Sequence, residues 1–170
     1  MDTSLTTTTE HASLGLKADL SGHVAIVTGA SQGLGRAIAL ALAANRCQVA
    51  CLARTLSKLE ETVGAIRAAG GTAEAFEADV SNRESVETAV DAVVDKFEKL
   101  DILVNNAGIT RDTLLPRMSD DEWVDVINTN LNGAFFMSRA ASRIMMRARY
   151  GRIINISSVS GLIGNAGQTN

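Results

Sequence analysis

The string TGASQGLG, residues 28–35, places Gly29, Gly33 and Gly35 between an apolar run and an alanine-rich one. A backbone that must turn sharply and approach a diphosphate cannot carry side chains at every step, and a helix beginning there offers free N–H groups to an anion. Ser31 adds a hydroxyl donor to the same turn, and Leu34 lies within it. A second chemical group is the hydroxyl pair Ser157 and Ser158, which closes the run GRIINIS. Serines at the carboxyl end of a strand either form a turn or present a hydroxyl to a ligand. Asn130, in NTNLNG, is polar within a helical pattern and requires a partner wherever that pattern is buried. Cys47 and Cys51 are the only cysteines, four residues apart with no histidine nearby. They point to neither a disulfide framework nor a metal site, but to core positions of a reduced, cytosol-like protein.

These groups need strands that end where they begin. HVAIVTGA, with Val24, Ile26 and Val27, reads as a doubly buried strand, and GRAIALALAANR places Ile38, Leu40 and Leu42 on a following helix. CQVACLAR is a second strand, ending at Ala53 and Arg54. Leu56, Leu59, Val63 and Ile66 then recur at helical spacing before Gly70 and Gly71. TAEAFEADV is a third strand, closed by Asp79 and Val80. Ser81 and Glu84 have the spacing of a capping box, opening a helix with Val86, Ala89, Val90, Val93 and Phe97 on one face. DILVNNAG is a fourth strand, and Ser119 with Glu122 caps a long helix whose stripe runs Trp123, Ile127, Leu131, Ala134. Asn130, seven residues after Trp123, falls on that stripe and is expected to be buried. GRIINIS is strand five. Five strands alternating with four helices imply an α/β fold, a Rossmann-type doubly wound parallel sheet comprising the first five strands only.

Bulk properties narrow the function classes. With 170 residues, 46% of them apolar, residues 20–170 suffice for one hydrophobic core, and the polar, threonine-rich residues 1–19 read as a flexible tail without a signal-peptide pattern. A net charge of -3 with scattered cations supplies no basic field, so no nucleic-acid partner is expected. No run approaches the roughly 18 apolar residues of a membrane-spanning helix, so the expectation is a soluble, cytoplasmic protein.

The spacing Gly-x-x-x-Gly-x-Gly, together with NNAG at Asn105 to Gly108, resembles the short-chain dehydrogenase/reductase family over roughly residues 20–170. The resemblance implies that Gly29, Ser31, Gly33, Leu34 and Gly35 cradle a dinucleotide. It implies further that Asn106, Ala107 and Gly108 run beside the cofactor's ribose, and that Asp79 and Val80 meet its adenine. Arg54, where an acid would accept bonds from the ribose of NAD, favours a 2′-phosphate and hence NADP(H). Many NADP-using relatives carry a second basic residue where this chain has Gln32.

Catalysis in the family uses a tyrosine as proton donor, a lysine four residues later, a serine that holds the substrate oxygen and an asparagine in a proton relay. Ser158 and Asn130 are the implied serine and asparagine. GQTN, residues 167–170, matches the start of the family's Gln-x-Asn-Tyr-x-x-x-Lys pattern. The chain is therefore expected to be the front of a longer protein, cut immediately before the tyrosine and inactive by itself, with Ile153, Ile154 and Ile156 left on an uncovered strand edge. NNAGITRDTLLPRM and the closing GRIINISSVSGLIGNAGQTN look most like members that reduce 3-oxoacyl thioesters on acyl carrier protein with NADPH. Members that act on acetoacetyl-CoA share nearly the same string, and a non-catalytic NADP-binding module is the competing class. Arg143, Arg147, Arg149 and Arg152 gather before strand five, either as an ordinary cationic helix end or as a docking surface for the acidic carrier protein, with Arg149 the contact the resemblance favours. The full-length parent is expected to be a homotetramer.

Overall fold

Five successive buried residues, Val24–Thr28, form the first strand, β1. Side chains alternate along a strand, so Val24 and Ile26 enter one apolar cluster while Ala25 and Val27 enter another on the opposite face. A computed structural model describes residues 18–170. Residues 1–17 of the expected tail lie outside the described residues.

Around β1 are β2 (Gln48–Ala53), β3 (Thr72–Glu77), β4 (Ile102–Asn105) and β5 (Arg152–Asn155), in the order β3-β2-β1-β4-β5 with every pair parallel. Ala25 stands opposite both Val49 and Ile102, and Asn105 opposite Asn155. α1 (Gly33–Ala44) and α2 (Leu56–Ala68) cover one face with Ala39, Ala43, Leu59, Val63 and Ile66. α3 (Arg83–Phe97) and α5 (Gly133–Ala148) cover the other with Val86, Val90, Val93, Met137 and Ala141. The chain steps outward from β1 to β3, then returns to the far side of β1, and that reversal opens a crevice at the carboxyl ends of β1 and β4.

Both cysteines are buried and free in the cluster beneath α1 and α2, where burial raises the Cys47 thiol to about 11 and the Cys51 thiol to about 12. β5 is the sheet edge expected from the sequence, with Ile153 and Ile154 40% and 46% exposed. Among the described residues no helix is long and apolar enough to cross a membrane.

Several local expectations are corrected. α3 is capped not by Ser81 but by Asn82, whose side chain accepts from the Ser85 N–H at 3.0 Å. The Ser81 hydroxyl is diverted to Asp79 Oδ1 at 2.7 Å, so the cap moves one residue on. Ser119 and Glu122 do form the expected box, and the Ser119 backbone N–H, with the Thr113 hydroxyl, holds the Glu122 carboxyl below its ordinary range.

The long helix is not continuous. α4 (Asp120–Val126) passes into a π turn, Ile127–Asn132, before α5. The wider turn shifts the helical phase beyond Val126, so the buried line runs Val126, Gly133, Met137, Ala141, Met145 and Leu131 is 63% exposed; Trp123, ahead of the turn on α4, is 43% exposed. In α1 the buried residues are Gly35, Ala39 and Ala43, with Ile38, Leu40 and Leu42 only half-buried, and Leu56 at the first position of α2 is exposed. β3 ends at Glu77 and β5 at Asn155, so Asp79, Val80, Ser157 and Ser158 stand on the loops beyond the strands.

Candidate functional site

The turn after β1 is shaped by close approach. Gly29 has φ +67, and a Cβ there would lie 3.0 Å from Ala107 Cα. Gly33 has φ +55 with nothing within 4 Å of its would-be Cβ, so the turn is open at that point. A Cβ on Gly35 would meet the Gly29 carbonyl and lie 2.5 Å from Asn106 Nδ2. The absence of side chains at Gly29 and Gly35 thus lets α1 sit against the ends of β1 and β4. Gln32, the N-cap of α1, makes no side-chain cap hydrogen bond, which leaves the first-turn N–H groups for another acceptor.

Thr28 ties that turn to the loop after β4. Its buried hydroxyl donates to the Val104 carbonyl at 3.3 Å and accepts from the N–H groups of Asn106 and Ala107, both at 2.9 Å. Asn106 Nδ2 returns a bond to the Thr28 carbonyl at 2.9 Å. Asn105, the first residue of NNAG, donates to Asn155 Oδ1 at 2.8 Å and to Ser138 Oγ at 3.0 Å, linking β4, β5 and α5. Thr28 and Asn105 open the strings TGASQGLG and NNAG, but the patterns assign neither a role, because their partners are distant in sequence.

A cavity of about 410 Å³ lies over the turn. Gly29, Ser31, Gly33, Leu34 and Gly35 form its floor, Arg54 stands beyond β2, Asp79 and Val80 beyond β3, and Asn106, Ala107 and Gly108 beyond β4. Every residue that the sequence put forward for a dinucleotide lines this one cavity. The motifs did not single out Lys58, Thr55 and Thr129, which line it too. The fit to a dinucleotide is one of backbone and charge: a side-chain-free turn at a helix start for a diphosphate, and cations at one end for a further phosphate.

A second cavity, about 970 Å³, shares Val80, Asn106, Ala107, Gly108 and Ile109 with the first and continues past Asn130 to Ser157 and Ser158. Asn130 and Ser158, the pair the resemblance implies for catalysis, therefore stand on one cleft with the residues it implies for a cofactor. Asn130 is exposed, not buried, and its amide is engaged at both ends: Oδ1 accepts from the Ile109 N–H and Nδ2 donates to the Ile109 carbonyl, each at 2.9 Å. The expected burial fails because the π turn carries Asn130 off the packed face, toward the loop after β4. Ser158 Oγ accepts from the Ser160 N–H at 3.2 Å, at the start of α6 (Ser160–Ile163).

Tyr150, the chain's single tyrosine, is elsewhere. It precedes β5, and its hydroxyl lies 3.0 Å from Nε2 of His23, which precedes β1. Both therefore sit at the amino edge of the parallel sheet, opposite the cleft. Arg143, Arg147, Arg149 and Arg152 are exposed around the end of α5, with Arg149 as its left-handed cap. None of the four forms an ion pair among the described residues.

Comparison with known proteins places this geometry. The family model described as short chain dehydrogenase matches residues 23–170. A 3-oxoacyl-(acyl-carrier-protein) reductase of Synechocystis is 48% identical over 152 residues, covering 89% of this chain and 62% of the relative. Its counterpart in Pseudomonas aeruginosa is 50% identical over 151 residues, covering 89% and 61%. The chain thus spans about three-fifths of the length of the curated relatives it matches. Among solved structures, a putative short-chain alcohol dehydrogenase from Sinorhizobium meliloti superposes with a TM-score of 0.86 at 40% identity, covering 89% of this chain and 60% of that one.

Proposed function

The chain belongs to the short-chain dehydrogenase family, and on that premise we propose that the whole protein reduces a 3-oxoacyl thioester to the 3-hydroxyacyl thioester with NADPH, in fatty acid synthesis. The observation that carries the reading is the single cleft that runs from the glycine turn to Ser158 at the carboxyl edge of the sheet. In this reading the turn from Gly29 to Gly35 binds the diphosphate through its N–H groups and the start of α1. Asp79 and Val80 flank the adenine, Arg54 faces the 2′-phosphate, and Asn106, Ala107 and Gly108 border the ribose. The nicotinamide supplies the hydride. Ser158 donates its hydroxyl to the substrate's 3-oxo oxygen and orients it. Asn130 holds the wall of the cleft at Ile109, and it joins a proton relay by exchanging one of its bonds for water.

No phenol among these 170 residues faces the cleft, since Tyr150 is at the opposite edge. The 170 residues alone are therefore assigned cofactor binding without turnover, because general acid catalysis is worth about 10² to 10⁴-fold. The buried free thiols suit a reducing compartment, the cytoplasm. A homotetramer is the proposed assembly of the whole protein.

Two experiments test the reading. Arg54→Asp is expected to shift cofactor preference toward NADH by about thirtyfold, the loss of one charge-assisted bond plus like-charge repulsion of the phosphate. Fluorescence titration of the two cofactors reads it, and an unchanged ratio removes Arg54 from the site. For the substrate, the exposed arginines at the end of α5 favour an acidic carrier over CoA alone. Arg149→Glu in the whole protein is expected to raise KM about tenfold for a carrier-bound 3-oxoacyl group and to leave KM for acetoacetyl-CoA unaltered. Equal effects on both substrates would favour an acetoacetyl-CoA reductase. Absence of turnover by the whole protein would leave a nucleotide-binding module.

A further inference from the structure

Three charged side chains line the cavity over the glycine turn: Arg54, Lys58 and Asp79. Asp79 Oδ1 is occupied by the N–H and hydroxyl of Ser81, at 2.9 and 2.7 Å. Arg54 and Lys58 are exposed, and neither forms an ion pair among the described residues. Arg54 also borders another hollow with Glu77 and Asp79, so an anion that met Arg54 alone would stand close to two acids. A phosphomonoester carries roughly -1.5 to -2 charges at neutral pH, which one acid-flanked guanidinium leaves under-compensated. Gln32 supplies no cation from the glycine turn, although it lines the same cavity.

Lys58 is the remaining cation of that wall. It is the third residue of α2, on a first turn that contains no acid. A cation there opposes the helix dipole, and a bound anion beside it offsets that repulsion by attracting both the ammonium and the helix start. We propose that Lys58 is the second cation of the 2′-phosphate site and that, with Arg54, it sets the preference for NADPH over NADH. The inference rests on the cofactor reading above and adds to it a residue no motif selects. Arg54 offers a planar fork from the loop beyond β2, and Lys58 a compact ammonium from α2, so the two approach a phosphate from adjoining elements with complementary donor geometry.

The test uses the 170-residue chain with Lys58→Met and Lys58→Arg. NADPH and NADH are titrated by calorimetry, with adenosine 2′,5′-bisphosphate and adenosine 5′-monophosphate as probes free of nicotinamide. Lys58→Met is expected to weaken NADPH and the bisphosphate about tenfold and to leave NADH and the monophosphate unchanged. Lys58→Arg is expected to retain the preference. Lys58 is exposed, so an unaltered unfolding midpoint accompanies both variants. If wild type prefers NADPH and Lys58→Met keeps that preference, or loses both cofactors equally, the assignment of Lys58 is overturned and the cofactor reading stands. If wild type binds neither NADPH nor the bisphosphate, the cofactor reading falls and this inference with it.

Discussion

Gly35→Val is expected to abolish NADPH binding and to destabilise the chain by about 3 kcal/mol, the upper range for forcing a side chain into a closed space. The first branching atom would meet the Gly29 carbonyl, lie 2.8 Å from the Gly29 carbonyl carbon and 2.5 Å from Asn106 Nδ2. None of these can retreat. Gly29 is itself held in a left-handed turn where even a Cβ would lie only 3.0 Å from Ala107 Cα, and Asn106 Nδ2 is bonded to the Thr28 carbonyl. The relief available is for α1 to lift from the sheet, which removes its N–H groups from the cavity and uncovers Ala39 and Ala43.

The neighbouring Gly33→Ala provides the contrast. Its position is left-handed but open, so it is expected to cost only about 1 kcal/mol of backbone strain and to act on affinity by projecting a methyl into the cavity. Urea unfolding separates the two stability effects, and titration of NADPH separates their consequences for the site. A Gly35→Val chain that binds NADPH with wild-type affinity would show that the turn is not the diphosphate cradle.

The residues that could be read from sequence are those whose meaning is local. Gly29, Gly33 and Gly35 announce a turn because glycine is required by the turn itself, and the alternation of apolar strands with amphipathic helices implies the sheet before any contact is known. The stripe Val86, Ala89, Val90, Val93 is buried as its spacing requires, since α3 is regular throughout. Leu131 has the same helical spacing yet is outside, because the π turn Ile127–Asn132 changes the phase beyond Val126, whereas Trp123 lies ahead of that turn on α4, where Val126 is the buried residue. A pattern counted at 3.6 residues per turn cannot register such an interruption.

Ser81 and Glu84 had the spacing of a cap, yet Asp79, two residues earlier, takes the serine hydroxyl. Competition between short polar side chains of that kind is invisible to a spacing rule. Lys58 illustrates the larger gap. In sequence it is one charge on a helical face, and only the approach of α2 to the glycine turn brings it to the same cavity as Arg54. Asn130 was legible as a residue that must find a partner, but its partner, the Ile109 peptide, is twenty-one positions away.

Thr28 is where fold and site are inseparable, and Thr28→Val is expected to destabilise the chain by about 4 kcal/mol and to loosen the cleft with it. Valine matches threonine in shape, so packing between β2 and β4 is retained. The change is chemical. The hydroxyl of Thr28, 1% exposed, is the acceptor for two peptide N–H groups, those of Asn106 and Ala107, and gives its proton to the Val104 carbonyl. Each N–H left without an acceptor costs about 1 to 3 kcal/mol, and two are stranded at once. That is a large share of a domain's typical net stability of about 5 to 15 kcal/mol. Those peptides belong to the loop that lines both cavities, so NADPH affinity is expected to fall in parallel. Thr28→Ser keeps the acceptor and loses only a methyl, and it is expected to restore most of the affinity at a cost of about 1 kcal/mol. Denaturant unfolding and NADPH titration of the three chains decide the matter: a valine variant within 1 kcal/mol of wild type would mean that the loop finds its acceptors elsewhere.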